Sequence, residues 1–199
     1  MRVLVACEFS GVVRDAFIAR GHHAVSCDLL ESERVGPHYQ QDVSTLLYDG
    51  WDMMIAFPPC TYLAKSGAHL WKQRMEQIEI ARRFFLMLYD APIPHIAIEN
   101  PVGWMNSHWR KPDQIIEPYW FGEPWKKQTC LWLRNLPPLI ATNRLTGIRQ
   151  SWVNSTNNYR NRYGEGWTNG AHRNQKERSR TFQGVAKAMA EQWGGVPDD

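Results

Sequence analysis

Short apolar runs and amphipathic stretches take turns along this 199-residue chain. The run RVLVACEF (2–9) is compact and rich in β-branched residues, the pattern of a buried strand. SGVVRDAFIARG (10–21) starts on Ser-Gly, carries Val12, Val13, Ala16, Phe17 and Ala19 as an apolar face, and predicts a helix ended by Gly21. HHAVSCDL (22–29) predicts a second strand reaching Asp28, and HYQQDVSTLL carries Asp42 just before a short helix. WDMMIAF (51–57) predicts a third strand, stopped by Pro58-Pro59, because proline supplies no N–H to a ladder. The spacing predicts a long amphipathic helix over 70–91, then strands over 95–101 (HIAIENP) and 127–133 (KQTCLWL). TFQGVAKAMAEQW (181–193) predicts a closing helix, with Val185, Met189 and Trp193 at helical spacing. Between 154 and 170 the periodicity disappears into Asn, Gly, Arg and aromatic residues, which reads as a loop or a small irregular lobe.

Alternating strands and helices argue for an α/β fold: a Rossmann-like, mostly parallel sheet with helices on both faces. Residues 1–133 read as the core, 134–180 as a small substrate-recognition region, and 181–199 as a helix returning to the core. Ligands of such sheets sit outside the carboxyl ends of the strands. At those ends the sequence collects Glu8-Phe9-Ser10-Gly11, Asp28, Pro58-Pro59-Cys60 and Glu99-Asn100-Pro101. Cys60 follows two prolines, so its backbone is fixed. It is either structural or a nucleophile, and only the thiolate is strongly nucleophilic; Lys65 is a candidate cation to favour it. Glu99 ends an apolar strand, where desolvation would raise its pKa, unless it is a surface or capping carboxylate. The turn at Ser10-Gly11 could receive an adenosine-bearing cofactor, with Asp28 placed for the ribose hydroxyls. The G-x-G-x-x-G pattern is missing, which disfavours a dinucleotide but not a cofactor lacking a pyrophosphate.

Charge sharpens the picture. The net charge is only +3, yet residues 134–180 hold nine Lys/Arg against two Glu, leaving −4 for the remainder. A basic segment on an acidic body suits a polyanion. Arg160, Arg162 and Arg178 are candidates for phosphates there, and Tyr159, Tyr163 and Trp167 for stacking on bases. The plain alternative is a solvated basic loop. Ten tryptophans read mostly as core. Four cysteines (Cys7, Cys27, Cys60, Cys130) show neither a metal-ligand spacing nor a disulfide framework, so no metal is expected and a reducing cytoplasm is the simplest compartment. No apolar run approaches the ~20 residues of a membrane span, and MRVLVACEF lacks the features of a signal peptide, so no membrane partner is expected.

In their order these motifs resemble those of DNA cytosine-5 methyltransferases. FSG (9–11) is similar to that family's first motif, and Asp28 and Asp42 to its ribose and adenine carboxylates. PPC (58–60) resembles its catalytic-loop motif, with Ser66-Gly67 following. ENP (99–101) resembles its Glu-Asn-Val, and FGEPWKKQTCLWL (121–133) a later motif in which Trp125, Lys127 and Thr129 stand at the Gln, Arg and Arg positions. GVAKAMAEQW falls where its closing motif lies. The family's second motif glycine is Val13 here, and the recognition region is short, as in methyltransferase-like proteins of bacteriophages and prophages.

The resemblance implies S-adenosylmethionine as cofactor, held around Phe9, Ser10, Gly11, Asp28, Asp42 and Pro58. It implies Cys60 as nucleophile, Glu99 as the acid on the base, Asn100 as its orienting neighbour, Lys127 on a base carbonyl or phosphate, and Ser66 near the substrate. The implied partner is DNA, double- or single-stranded, in the cytoplasm of a bacterial or phage-infected cell; a separate protein supplying target recognition stays open. RNA or a free cytosine nucleotide as substrate, and a non-catalytic DNA- or cofactor-binding role, also stay open.

Overall fold

A computed structural model describes residues 1–152 and 179–195. Seven strands form one sheet in the order β3-β2-β1-β4-β5-β7-β6. They are β1 (Arg2–Ala6), β2 (His23–Asp28), β3 (His38–Gln40), β4 (Met53–Ala56), β5 (His95–Pro101), β6 (Gln114–Ile116) and β7 (Thr129–Arg134). The first five are mutually parallel, while β7 runs antiparallel between β5 and β6. This is the expected Rossmann-like α/β architecture.

Its central strands are apolar on both faces because both faces are covered. On one face α1 (Val12–Ile18) and α4 (Gln183–Trp193) bury Val13, Phe17, Val185, Met189 and Trp193 against Val3, Val5 and Ile55. On the other, α2 (Met75–Tyr89), α3 (Trp104–His108) and a 3-10 turn (Val43–Leu46) cover Leu4, Met54, Ile96 and Ile98. Fully burying one such side chain contributes about 1.5–3 kcal/mol.

The helix expected over 70–91 begins only at Met75. The segment Lys65–Gln73 forms a 3-10 stretch instead, and Arg74 leaves helical geometry at φ −123°. Its cause is tertiary. Trp71 packs edge-on to Trp104 (centroids 5.3 Å apart) and to His108 (5.8 Å), which commits this segment to α3. The tryptophans also divide: Trp51, Trp132 and Trp193 are buried, whereas Trp71, Trp104, Trp109, Trp120, Trp125 and Trp152 are half-buried. Among the described residues no helix is long and apolar enough to cross a membrane.

Candidate functional site

The strand order reverses between β1 and β4: β1 leads outward to β2 and β3, β4 to β5. A crevice at such a switch point is where an open α/β sheet takes its ligand. Register brings the exits level, since Ala6 pairs with Ala56 and with Cys27, and Ala56 with Ile98. The motifs leaving β1, β2, β4 and β5 therefore share one edge.

The β1–β2 half is built around carboxylates. Glu8 is buried and accepts the backbone N–H of Val13 at 2.8 Å, the N–H of Arg14 at 3.4 Å and the Ser10 hydroxyl at 2.9 Å. Burial raises its pKa, and these hydrogen bonds oppose that. A protein carboxylate thus takes the N–H groups that a phosphate would use at the start of α1, which argues against a pyrophosphate cofactor. Phe9 and Ser10 are buried. Gly11 turns the chain into α1 with φ +69°, a left-handed value that favours glycine.

Asp28 ends β2 half-buried, and one of its oxygens accepts the Leu30 N–H at 2.9 Å. The next side chain, Leu29, is 71% exposed beside it. Asp42 is exposed and caps the 3-10 turn through the Ser44 N–H at 2.9 Å, which lowers its pKa. Burial, foremost, pushes the Cys7 thiol far up, and the charges of Asp28 and Asp42 add to that rise.

The β4–β5 half carries Pro58, Cys60, Glu99 and Asn100. Asn100 is buried, and its Nδ2 donates to the Pro58 carbonyl at 3.0 Å, a direct tie between the two motifs. Beyond Cys60 the chain turns tightly: the N–H groups of Leu63 and Ala64 donate to the Cys60 carbonyl at 3.0 and 2.9 Å. This loop is then stitched to the β5 exit by Lys65 N–H on Val102 (3.0 Å) and Trp104 N–H on Leu63 (2.7 Å). The backbones approach so closely at Gly103 that a Cβ there would collide with the Leu63 carbonyl. Gly103→Ala is therefore expected to open this contact at a cost of about 1–3 kcal/mol. Thermal melting and accelerated amide exchange at residues 61–66 would show it; unchanged exchange there would refute the stitched loop.

Glu99 is half-buried and opens onto a small pocket lined by Phe57, Lys127, Thr129, Phe182 and Met189. Burial raises its pKa; the Lys127 charge and a hydrogen bond with the Thr129 hydroxyl pull the other way with smaller effect. Lys127 and Thr129 are two of the three positions that depart from the family's motif. Trp125, the third, packs instead on Trp152 (5.0 Å), which packs on Phe182 (4.8 Å). Cys60 does not line the Glu99 pocket and connects to it through the Asn100–Pro58 bond. It is half-buried and outside any disulfide.

Ser66 is exposed on the 3-10 segment after Cys60. Lys65, Lys72 and Arg74 are exposed on the same stretch, which has no Asp or Glu between Asp52 and Glu76. Arg160, Arg162 and Arg178, with Tyr159, Tyr163 and Trp167, lie outside the described residues. Among the described residues no cluster of His, Cys, Asp or Glu could hold a metal ion.

Sequence reasoning missed Glu8 as the cap of α1 and Gly103 as the close-approach point. Glu8 was visible as a carboxylate at the turn, but nothing local told that it folds back on the helix. Gly103, two residues beyond the ENP motif, carried the only signal: a glycine just past a strand end.

These features give an open α/β sheet whose switch-point edge gathers Glu8, Asp28 and Asp42 on the β1–β2 side and Cys60, Glu99 and Asn100 on the β4–β5 side. No protein-family model matches the chain, and no curated protein matches it. Among solved structures it is similar to Spodoptera frugiperda DNMT2, crystallised as a triple mutant, with a TM-score of 0.44 and 14% identity. That match covers 75% of this chain, which spans 56% of the length of DNMT2.

Proposed function

We propose that this protein is an S-adenosylmethionine-dependent cytosine-5 methyltransferase acting on DNA. The observation that carries the reading is the Asn100–Pro58 hydrogen bond. It ties the Cys60 loop to the strand that carries Glu99, a carboxyl group whose pKa burial raises.

The cofactor would supply an electrophilic methyl group. Asp28 and Asp42 suit ribose hydroxyls and the adenine amine, exposed Leu29 suits an aromatic ring, and the Glu8-blocked start of α1 suits a cofactor without phosphates. Cytosine is too unreactive at carbon 5 to take a methyl group unaided, and covalent catalysis divides the step. Cys60, deprotonated, adds to carbon 6. Glu99 gives its proton to ring nitrogen 3 as negative charge develops there. Carbon 5 becomes nucleophilic and takes the methyl group. Water then takes the carbon 5 proton as the carbon 5–carbon 6 double bond re-forms and expels the Cys60 thiolate, and ring nitrogen 3 returns its proton to Glu99. Asn100 holds the loop, and Lys127 keeps positive charge beside Glu99 and the base.

A base in duplex must leave the stack to reach this pocket. Exposed Lys65, Lys72 and Arg74 on the stretch that follows Cys60, and the basic 134–180 segment, would supply charge for phosphates. Labelled S-adenosylmethionine should transfer its label to cytosine in DNA. Parallel incubations with single-stranded DNA, RNA and cytosine nucleotides identify the substrate. Label on RNA or nucleotide alone would replace DNA in this reading, and label on none of them would leave a non-catalytic binding protein.

A further inference from the structure

Arg14 lies in the first turn of α1, yet it is fully buried. Guanidinium presents five N–H groups in a fixed fork, and burying it demands an acceptor for each. Asp15, the neighbouring residue, takes Nε at 2.9 Å and one terminal nitrogen at 2.8 Å. The rest of the fork reaches away from the helix. It donates to Ser26 Oγ on β2 (3.2 Å), Ser32 Oγ (3.1 Å) and the carbonyls of Arg34 (3.3 Å), Val35 (3.3 Å) and Pro37 (3.5 Å). Two glycines leave room for it: a Cβ on Gly11 or Gly36 would stand 2.6 or 2.8 Å from the guanidinium.

The loop so held, residues 29–37, connects β2 to β3 and starts directly after Asp28. It lies on the β1 turn, where the Glu33 N–H donates to the Phe9 carbonyl at 2.9 Å. One end of the loop therefore carries the ribose candidate, and its middle rests on the Phe9–Gly11 turn. Few loops of this size have a core of their own, so its conformation depends on the groups that bind it from outside. Arg14 is the buried one.

We propose that Arg14 is a positioning residue for the cofactor: it clamps the 29–37 loop onto the Phe9–Gly11 turn and thereby fixes Asp28 and Leu29 around the adenosine site. The role rests on the methyltransferase reading of that edge. Lysine cannot replace it, because a single ammonium cannot span the same fan of acceptors.

Amide hydrogen exchange in the protein alone, and calorimetric binding of S-adenosylhomocysteine, test this in wild type, Arg14→Lys and Ser32→Ala. In Arg14→Lys, exchange over 29–37 should speed up while β4 and β5 stay protected. The Kd should rise about ten-fold or more, the order expected for lost charge-assisted hydrogen bonds. The KM for S-adenosylmethionine should rise with it while kcat at saturation stays within about three-fold, the mark of uniform binding lost. Ser32→Ala, which removes one acceptor and leaves the helix intact, should shift both readouts the same way by a smaller factor, and it carries the test if Arg14→Lys fails to fold. Unchanged loop exchange, or faster exchange with an unchanged Kd, would overturn the proposal. Absence of binding by wild type would instead overturn the methyltransferase reading on which it stands.

Discussion

Cys60→Ala is expected to abolish methyl transfer, lowering kcat/KM by about 10⁴-fold or more, the scale seen when a covalent nucleophile is removed. The fold should survive. Cys60 is only half-buried, and the bonds that shape its loop run from Leu63 and Ala64 to its backbone carbonyl, which the substitution keeps. Thermal stability should therefore move by less than about 1 kcal/mol, as for substitutions outside the core. Trapping separates the nucleophile from a bystander. DNA carrying 5-fluorocytosine lacks the carbon 5 proton whose loss releases the enzyme, so the Cys60 adduct should accumulate in wild type and survive denaturing electrophoresis. Cys60→Ser should give none, because a hydroxyl is far less acidic than a thiol. An adduct of equal yield in Cys60→Ser would assign the attack to another residue.

That so local a test can be designed reflects how much of the molecule was readable in order. The strands that carry the site, β1, β4 and β5, are short apolar runs ended by small or proline residues, and their burial on both faces leaves one reading of the pattern. The edge at which their motifs collect follows from parallel alternation. What escaped is non-local. β3 and β6 have three residues each and lie at the sheet margins, so they lack a periodicity to detect. The reversed direction of β7 depends on its insertion between β5 and β6, which no run of residues encodes. Trp71 sat in an amphipathic pattern that continues smoothly into α2, and only its contact with Trp104 breaks the helix at Arg74. Arg14 read as an ordinary charged position of an amphipathic helix. Apart from Asp15, its acceptors lie 12 to 23 residues onward, on a strand and a loop whose path the sequence leaves open.

Glu99→Gln should separate activity from stability. Glutamine keeps the shape and a hydrogen-bond donor but cannot release a proton to ring nitrogen 3, so kcat should fall by about 10²–10³-fold, the range of a lost acid or oxyanion-type contact. Wild-type activity should decline on the alkaline side as Glu99 gives up its proton, and the variant's residual activity should lack that limb. Stability should move the other way. Burial raises the Glu99 pKa in the folded protein, so above the ordinary glutamate range the folded state keeps a proton that the unfolded chain has released. Its favourable contribution is complete at low pH and is lost as pH rises through the raised value. The variant carries no such cost and should gain on wild type between pH ~4, near the ordinary glutamate pKa, and neutral pH. Urea unfolding of both proteins at those two pH values measures the difference. A variant equally active would show that Glu99 is not the proton donor, and one whose stability relative to wild type is the same at both pH values would show that Glu99 is not held in a pKa-raising site. Lys127 provides the internal control. Its charge opposes the rise in the Glu99 pKa, so Lys127→Met should push the Glu99 pKa further up and shift the alkaline limb to higher pH.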